Sequence, residues 1–289
     1  MTCVRAGVVL SGMLMCVASG YAQGRPVWEK SYSVVAQPTV SLEVSDSNLE
    51  IQPCGECRTV HIRVEMEEAR LSDYRLEEGQ SGNSVHFLLK DKPHAGFHIG
   101  WHSGSVKVVV ETPANLTLEA RTSDGGLRAG GLHGDLTLDS SDGSQDLENI
   151  SGNLKVRTRD GGVHLRGGRG TLEVRGADGR QEISGAFDSL QVSSSDGSLS
   201  VELLPGTKLH AASRIETRDG SLAVRVPRDL AAEFAVETRD GRISSDLPLT
   251  MNGYNSRGGD SHEMRGTMNG GGPLLAIQSS DGSVRLGMD

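Results

Sequence analysis

The chain has 289 residues, a formal net charge of −9, and only two Trp, four Tyr and four Phe. So few large rings exclude a conventional compact core built on aromatic side chains, and the acidic balance excludes a general nucleic-acid surface. With 38 Gly against 9 Pro, the composition suits many tight turns and neither long helices nor a Pro-rich linker.

Residues 1–22 carry Arg5, the apolar run Ala6 to Ala18, and then Gly20-Tyr21-Ala22, a small-x-small site ahead of Gln23. The pattern predicts a cleaved secretory signal. The run is shorter than the roughly 20 residues that span a bilayer, so no transmembrane anchor is expected in the mature chain. A lipoprotein anchor on Cys16 is the competing reading, against which stands the lack of a small residue in Met13-Leu14-Met15. Cleavage leaves Cys54 and Cys57, in Cys-Gly-Glu-Cys. In an oxidising compartment they are a possible disulfide across a turn, or two free thiols, and a thioredoxin-like role would need a βαβ context that this region lacks.

Next come three His, at His94, His98 and His102, interleaved with Phe97 and Trp101. Glycines and strand-forming neighbours argue against a helix there. In a straight strand the His pairs would stand about 13 Å apart, too far to share one zinc. No metal site is therefore expected. Phe97, His98, Trp101 and His102 are the candidate binding residues, with the competing reading that the two rings cover the N-terminal end of the core.

From Asp124 onward Asp-Gly recurs at Asp142, Asp160, Asp178 and Asp196, each 18 residues after the last, and then at Asp219, Asp240 and Asp281. Such self-similarity marks a repeat array. Six residues before each Asp stand Leu118, Leu136, Leu154, Leu172 and Leu190, and four before stand Ala120, Leu138, Val156, Val174 and Val192. Polar residues alternate with them, which predicts strands with one buried face. Each unit reads as strand, Asp-Gly turn, strand, and a second turn bearing Gly134, Gly152 or Gly170. Asp-Gly also suits a meander of hairpins. Identical columns in register favour an all-β, single-stranded β-solenoid (β-helix) with coils of about 18 residues. The expected organisation is a signal peptide over residues 1–22, N-terminal strands and cap over 23–117, and the repeat solenoid over 118–289.

The Asp column could bind calcium, or each Asp could accept from its own turn while Gly supplies a positive φ; the second is expected. The exposed column three residues before each Asp alternates in charge in part, as in Arg121, Asp139 and Arg157, and reads as a solvated face.

Val109-Val110-Glu111-Thr112-Pro113, the Leu116-Thr117-Leu118-Glu119-Ala120 segment, the Ser/Arg-Asp-Gly turns, Val226-Pro227-Arg228-Asp229 and Met268-Asn269-Gly270-Gly271-Gly272-Pro273 follow one another in order. In these motifs the chain, from about Ser41 onward, resembles the DUF4097 group, a bacterial adhesin-like domain family of unknown function. The resemblance implies an extracytoplasmic β-solenoid with no catalytic residues to carry over.

No Gly-x-Ser-x-Gly elbow, His-Glu-x-x-His or phosphate-binding Gly loop occurs. The expectation is a non-enzymatic binding or structural module, periplasmic or at the cell surface. It would use no cofactor and take an envelope or extracellular ligand, protein or glycan, and no nucleic acid. A glycan-active enzyme on a β-helix scaffold is the alternative.

Overall fold

The computed structural model describes residues 26–92, 104–257 and 261–289, and they form strands with a single 3-10 turn at Leu71–Asp73. The architecture is all-β and solenoid-like. Asn115–Thr122, His133–Ser140 and Ser151–Thr158 stack side by side in parallel, with Leu118 opposite Leu136 and Leu136 opposite Leu154. Leu127–Gly130 and Gln145–Glu148 stack the same way to make a second wall. Paired strands within the array are parallel, so the hairpin meander is excluded there.

The alternation read in the sequence becomes an inside and an outside: Asn115–Thr122 has every second residue buried. The two apolar columns face inward, and from Leu118 to Leu190 no member of the Leu column exceeds 4% exposure. Ile215, Ile277 and Val236 extend the inner column on later coils. Burying each such side chain contributes roughly 1.5–3 kcal/mol. Medium-sized side chains stacked on their like thus supply the core that the missing rings would otherwise provide.

The glycine of each Asp-Gly turn is required for a reason other than the expected one. Positive φ is absent at Gly125, Gly143, Gly161, Gly179 and Gly197, and occurs instead at the second residue of the stacked strands, as at Gly152 with φ 107°. At Gly161 a Cβ would overlap the carbonyl oxygen of Gly143 on the neighbouring coil, and one at Gly179 would overlap that of Gly161. The turns lie backbone on backbone, and glycine permits that approach.

A column that the sequence reading passed over closes these turns. Two residues before the Asp stands an inward Ser or Thr whose hydroxyl donates to the carbonyl of the turn glycine: Thr122 to Gly125 at 3.1 Å, Ser140 to Gly143 at 2.8 Å, Thr158 to Gly161 at 3.0 Å. The turn at Asp178 has Gly176 in that place, and the buried Gln181 amide fills the space a side chain there would take.

Spatial order departs from chain order at both ends. The coil made by Thr39–Val44 and Asn48–Pro53 lies between Ser84–Asp91 with Ser105–Thr112 on one side and Asn115–Thr122 with Leu127–Gly130 on the other. Likewise Leu274–Ser279 and Val284–Met288 slot between the coils of Asp219 and Asp240. Antiparallel strands then cover the ends: Thr59–Glu67 and Tyr74–Ser81 at one, Ser261–Met268 at the other. At the N-terminal end Trp28 packs on Phe87 with ring centroids 5.3 Å apart. Glu78 ties the two walls together there, accepting from Lys30 Nζ and from the Tyr32 hydroxyl, each at 2.6 Å. Such covers withdraw open strand edges from pairing with other chains.

Removing residues 154–171 deletes one unit and leaves every inward column in register. The shortened chain should melt cooperatively within several degrees of the wild type, because each coil rests mainly on its neighbours. Removing residues 154–162 alone should abolish the cooperative transition. Circular dichroism melting of the two deletions makes the comparison, and equal loss of structure would contradict the stacking described.

Candidate functional site

The turns put a column of carboxylates on one edge of the molecule. Asp46 occupies the same place as the repeat aspartates, on the coil beside Asp124, and Asp91 stands beyond it. Neighbouring carboxyls along the column lie close enough to influence one another's protonation, Asp46 with Asp91 and Asp124, and Asp219 with Asp196 and Asp281. Within the turns described above it is the Ser or Thr hydroxyl that bonds the backbone, while the carboxylates meet one another. Among the described residues no group of three His, Cys, Asp or Glu is placed to hold a metal ion.

On the first wall, the column flagged in the sequence is a charge ladder. Asp139 lies 3.5 Å from Arg121 and 3.6 Å from Arg157. Exposed pairs of this kind contribute a few tenths of a kcal/mol and favour correct stacking. The outer face of the second wall begins in the same manner. Arg128 faces Asp146 at 3.6 Å, Arg166 pairs with Glu148, and Glu182 takes both His164 at 3.3 Å and Arg180 at 3.2 Å.

That second ladder then stops. The residues opposite and beyond Glu182 are Ser200 and Ala223, and the long side chains resume at Arg285. Two coils of short side chains between longer ones leave a groove of about 490 Å³. Its floor carries the exposed Ser198, Ser200 and Ser221; Arg180 and Glu182 bound one side, and Arg242 and Arg285 the other. Glu182 is held below the usual carboxylate range by its hydrogen bond to Arg180, so it stays ionised.

Phe97, His98, Trp101 and His102 lie outside the described residues. The strands on either side of them, Ser84–Asp91 and Ser105–Thr112, belong to one coil. Cys54 and Cys57 stand side by side, with Cα atoms 5.7 Å apart, where the chain leaves a solenoid coil for the covering strand Thr59–Glu67.

A family model described as Toastrack DUF4097 matches residues 39–286. The chain belongs to this family. Among curated proteins none matches this Toastrack chain. Solved structures similar to it at low identity include the following. A "putative cell adhesion protein" from Clostridium sporogenes ATCC 15579 is 8% identical over 91% of this chain and 99% of that one, with a TM-score of 0.25. A "putative adhesin" from Bacteroides fragilis NCTC 9343 is 9% identical over 91% and 96%, with a TM-score of 0.36. A "putative lipid binding protein" from Parabacteroides distasonis ATCC 8503 is 13% identical over 90% and 96%, with a TM-score of 0.38. Among the described residues of the Toastrack chain, no helix is long and apolar enough to cross a membrane.

A second hollow of the Toastrack chain, about 400 Å³, is lined by Glu68, Asp73, Tyr74 and Asp91 near Gly104. Burial and the neighbouring Asp91 push the Tyr74 phenol up to about 12, so it remains protonated. Along the turn column Asp46, Asp124, Asp178 and Asp219 are held above their ordinary range. Asp46 is raised first by its hydrogen bond to Asp91, Asp124 by its bond to Asp46, and Asp219 by its bonds to Asp281 and Asp196. Desolvation and then Asp196 and Asp160 raise Asp178.

A carboxyl with a raised folded-state pKa holds its proton more tightly when folded. Its stabilising contribution is complete below the ordinary value of 3.8 and is lost as pH climbs through the raised value. Glu78 and Glu182, which are lowered, act in the opposite sense: their contribution is present above 4.5 and is lost as pH falls. Asp219→Asn keeps a side-chain hydrogen bond and removes one charge from the column. It should raise the melting temperature at pH 7 by about one or two degrees, and the gain should shrink as pH is lowered toward 4. Scanning fluorimetry across that range checks the sign, and a loss of stability at pH 7 would contradict it.

Proposed function

We propose that the protein is an exported, non-enzymatic binding module of the bacterial envelope, and that its ligand docks in the groove on the second wall. The groove carries the proposal. Exposed ladders of charge are satisfied within the chain over most of this wall, whereas between Glu182 and Arg285 the side chains are short and the surface is hollow. A concave surface with a few converging polar groups on a rigid wall is the usual form of a binding site. The secretory pattern over residues 1–22 supports export, and a single carboxylate in the groove, Glu182, supports recognition over hydrolysis there.

The competing reading, a glycan-active enzyme, draws on the hollow at Tyr74, where three carboxylates line the space beside one ring. Reducing ends released from a polysaccharide by the wild type and not by Asp91→Asn would favour it.

Ser221→Trp fills the groove from an exposed position. On arrays of glycans, lipids and envelope fractions, the full chain should retain at least one ligand, and the filled variant should lose it at an unchanged melting temperature. A ligand bound equally by both chains would place recognition elsewhere.

A further inference from the structure

The groove described above has a charge opposite in sign to the chain that carries it. Three arginines and one glutamate line it, in a protein with a net charge of −9. Two of these arginines are not alike with the third. Arg180 already holds Glu182 at 3.2 Å, and Glu182 is shared with His164 at 3.3 Å, so that side of the groove is neutralised from within. Among the described residues no ion pair is recorded for Arg242 or Arg285, and both stand on the far side on adjoining coils, with Ser244 opposite Arg285 and Ile243 opposite Val284. Two guanidinium groups from adjoining coils can approach a single carboxylate from two directions, and planar N–H forks match its geometry.

The floor between the two sides is hydroxylated. Ser198, Ser200, Ser221 and Ser283 each present one donor and two acceptor lone pairs, and no aromatic side chain lines the groove. A neutral sugar would lack the aromatic ring face on which sugars commonly stack. From Glu182 to Arg285 there are three strand spacings, roughly 14 Å between backbones, which leaves room for one sugar ring between the bounding side chains.

From this arrangement we infer that the groove binds a hydroxylated carboxylate, a uronate residue free or within an acidic glycan. Its carboxylate meets Arg242 and Arg285 and its hydroxyls meet the serines. The inference rests on the groove being the ligand site.

Isothermal titration of the full chain with trigalacturonate, with its neutral counterpart galactotriose and with inorganic phosphate tests it. Trigalacturonate should bind saturably and more weakly as NaCl is raised, and galactotriose should bind at least tenfold more weakly. Arg285→Gln and Arg242→Gln, both exposed, should each weaken trigalacturonate on the order of tenfold with the melting temperature unchanged. Arg128→Gln, on the same wall outside this groove, should leave it unchanged.

Phosphate binding as tightly as trigalacturonate would overturn the uronate assignment, as would galactotriose binding as well as the acid. If trigalacturonate fails to bind while Ser221→Trp abolishes another ligand, the inference falls and the groove stands as the ligand site. If trigalacturonate binds but is indifferent to Ser221→Trp and to both arginine variants, the groove itself is the wrong place.

Discussion

Backbone lying on backbone at the Asp-Gly edge is the constraint on which the rest of the structure depends. Parallel strands stack at about 4.8 Å, and a turn can follow that spacing with its main chain in contact only where no Cβ intervenes. Gly143, Gly161, Gly179 and Gly197 form such a line, each seated against the glycine carbonyl of the coil before it. The Ser and Thr hydroxyls inside the turn then donate to those same carbonyls. Register follows from this edge. Once the turns are aligned, Leu118, Leu136 and Leu154 meet through the core, and outward charges such as Arg121 and Asp139 meet their opposites.

This division of labour leaves the outer faces free to vary. Inward positions are bound by the column rule, since a strand shifted by one residue would turn its apolar set to solvent. Outward positions only have to avoid like charges on neighbouring coils. The groove is made by that freedom: replacing two rungs of long paired side chains with Ser200 and Ala223 hollows the wall without touching the core. The acidic edge carries a cost of its own, because carboxylates one strand spacing apart repel once ionised. Their raised pKa values record that repulsion together with the hydrogen bonds and desolvation that accompany it.

Much of the fold was legible because its information is periodic and local. Leu118, Leu136 and Leu154 announce the strand, its buried face and its partner at once, and the motif order carried the family resemblance. The role of the turn glycine was misread because Asp-Gly has two physical meanings. It is a hairpin turn that needs positive φ, or a stacked turn that needs no side chain, and only the neighbouring coil decides between them. Insertion of the Asp281 coil between those of Asp219 and Asp240 could not be read, since the sequence shows the repeats and not the order in which they stack. For the same reason the groove was missed. Ser200 and Ala223 were visible as a break in the column four residues after each Asp, but Arg285 joins them only through the inserted coil. Trp28 and Phe87 were overlooked as an end cover because their contact crosses 59 residues of chain.

The close approach of the turns is tested most directly by adding a single methyl group at the edge and elsewhere. Gly161→Ala places a Cβ against the Gly143 carbonyl, where backbone on both sides cannot yield. Gly130→Ala places one 3.6 Å from the Glu148 carbonyl, an ordinary contact, without a positive φ to oppose it. Urea denaturation should show Gly161→Ala destabilised by about 1–3 kcal/mol or more and Gly130→Ala within about 0.5 kcal/mol of the wild type. Equal stability of the two variants would contradict the account of what sets the register of the coils.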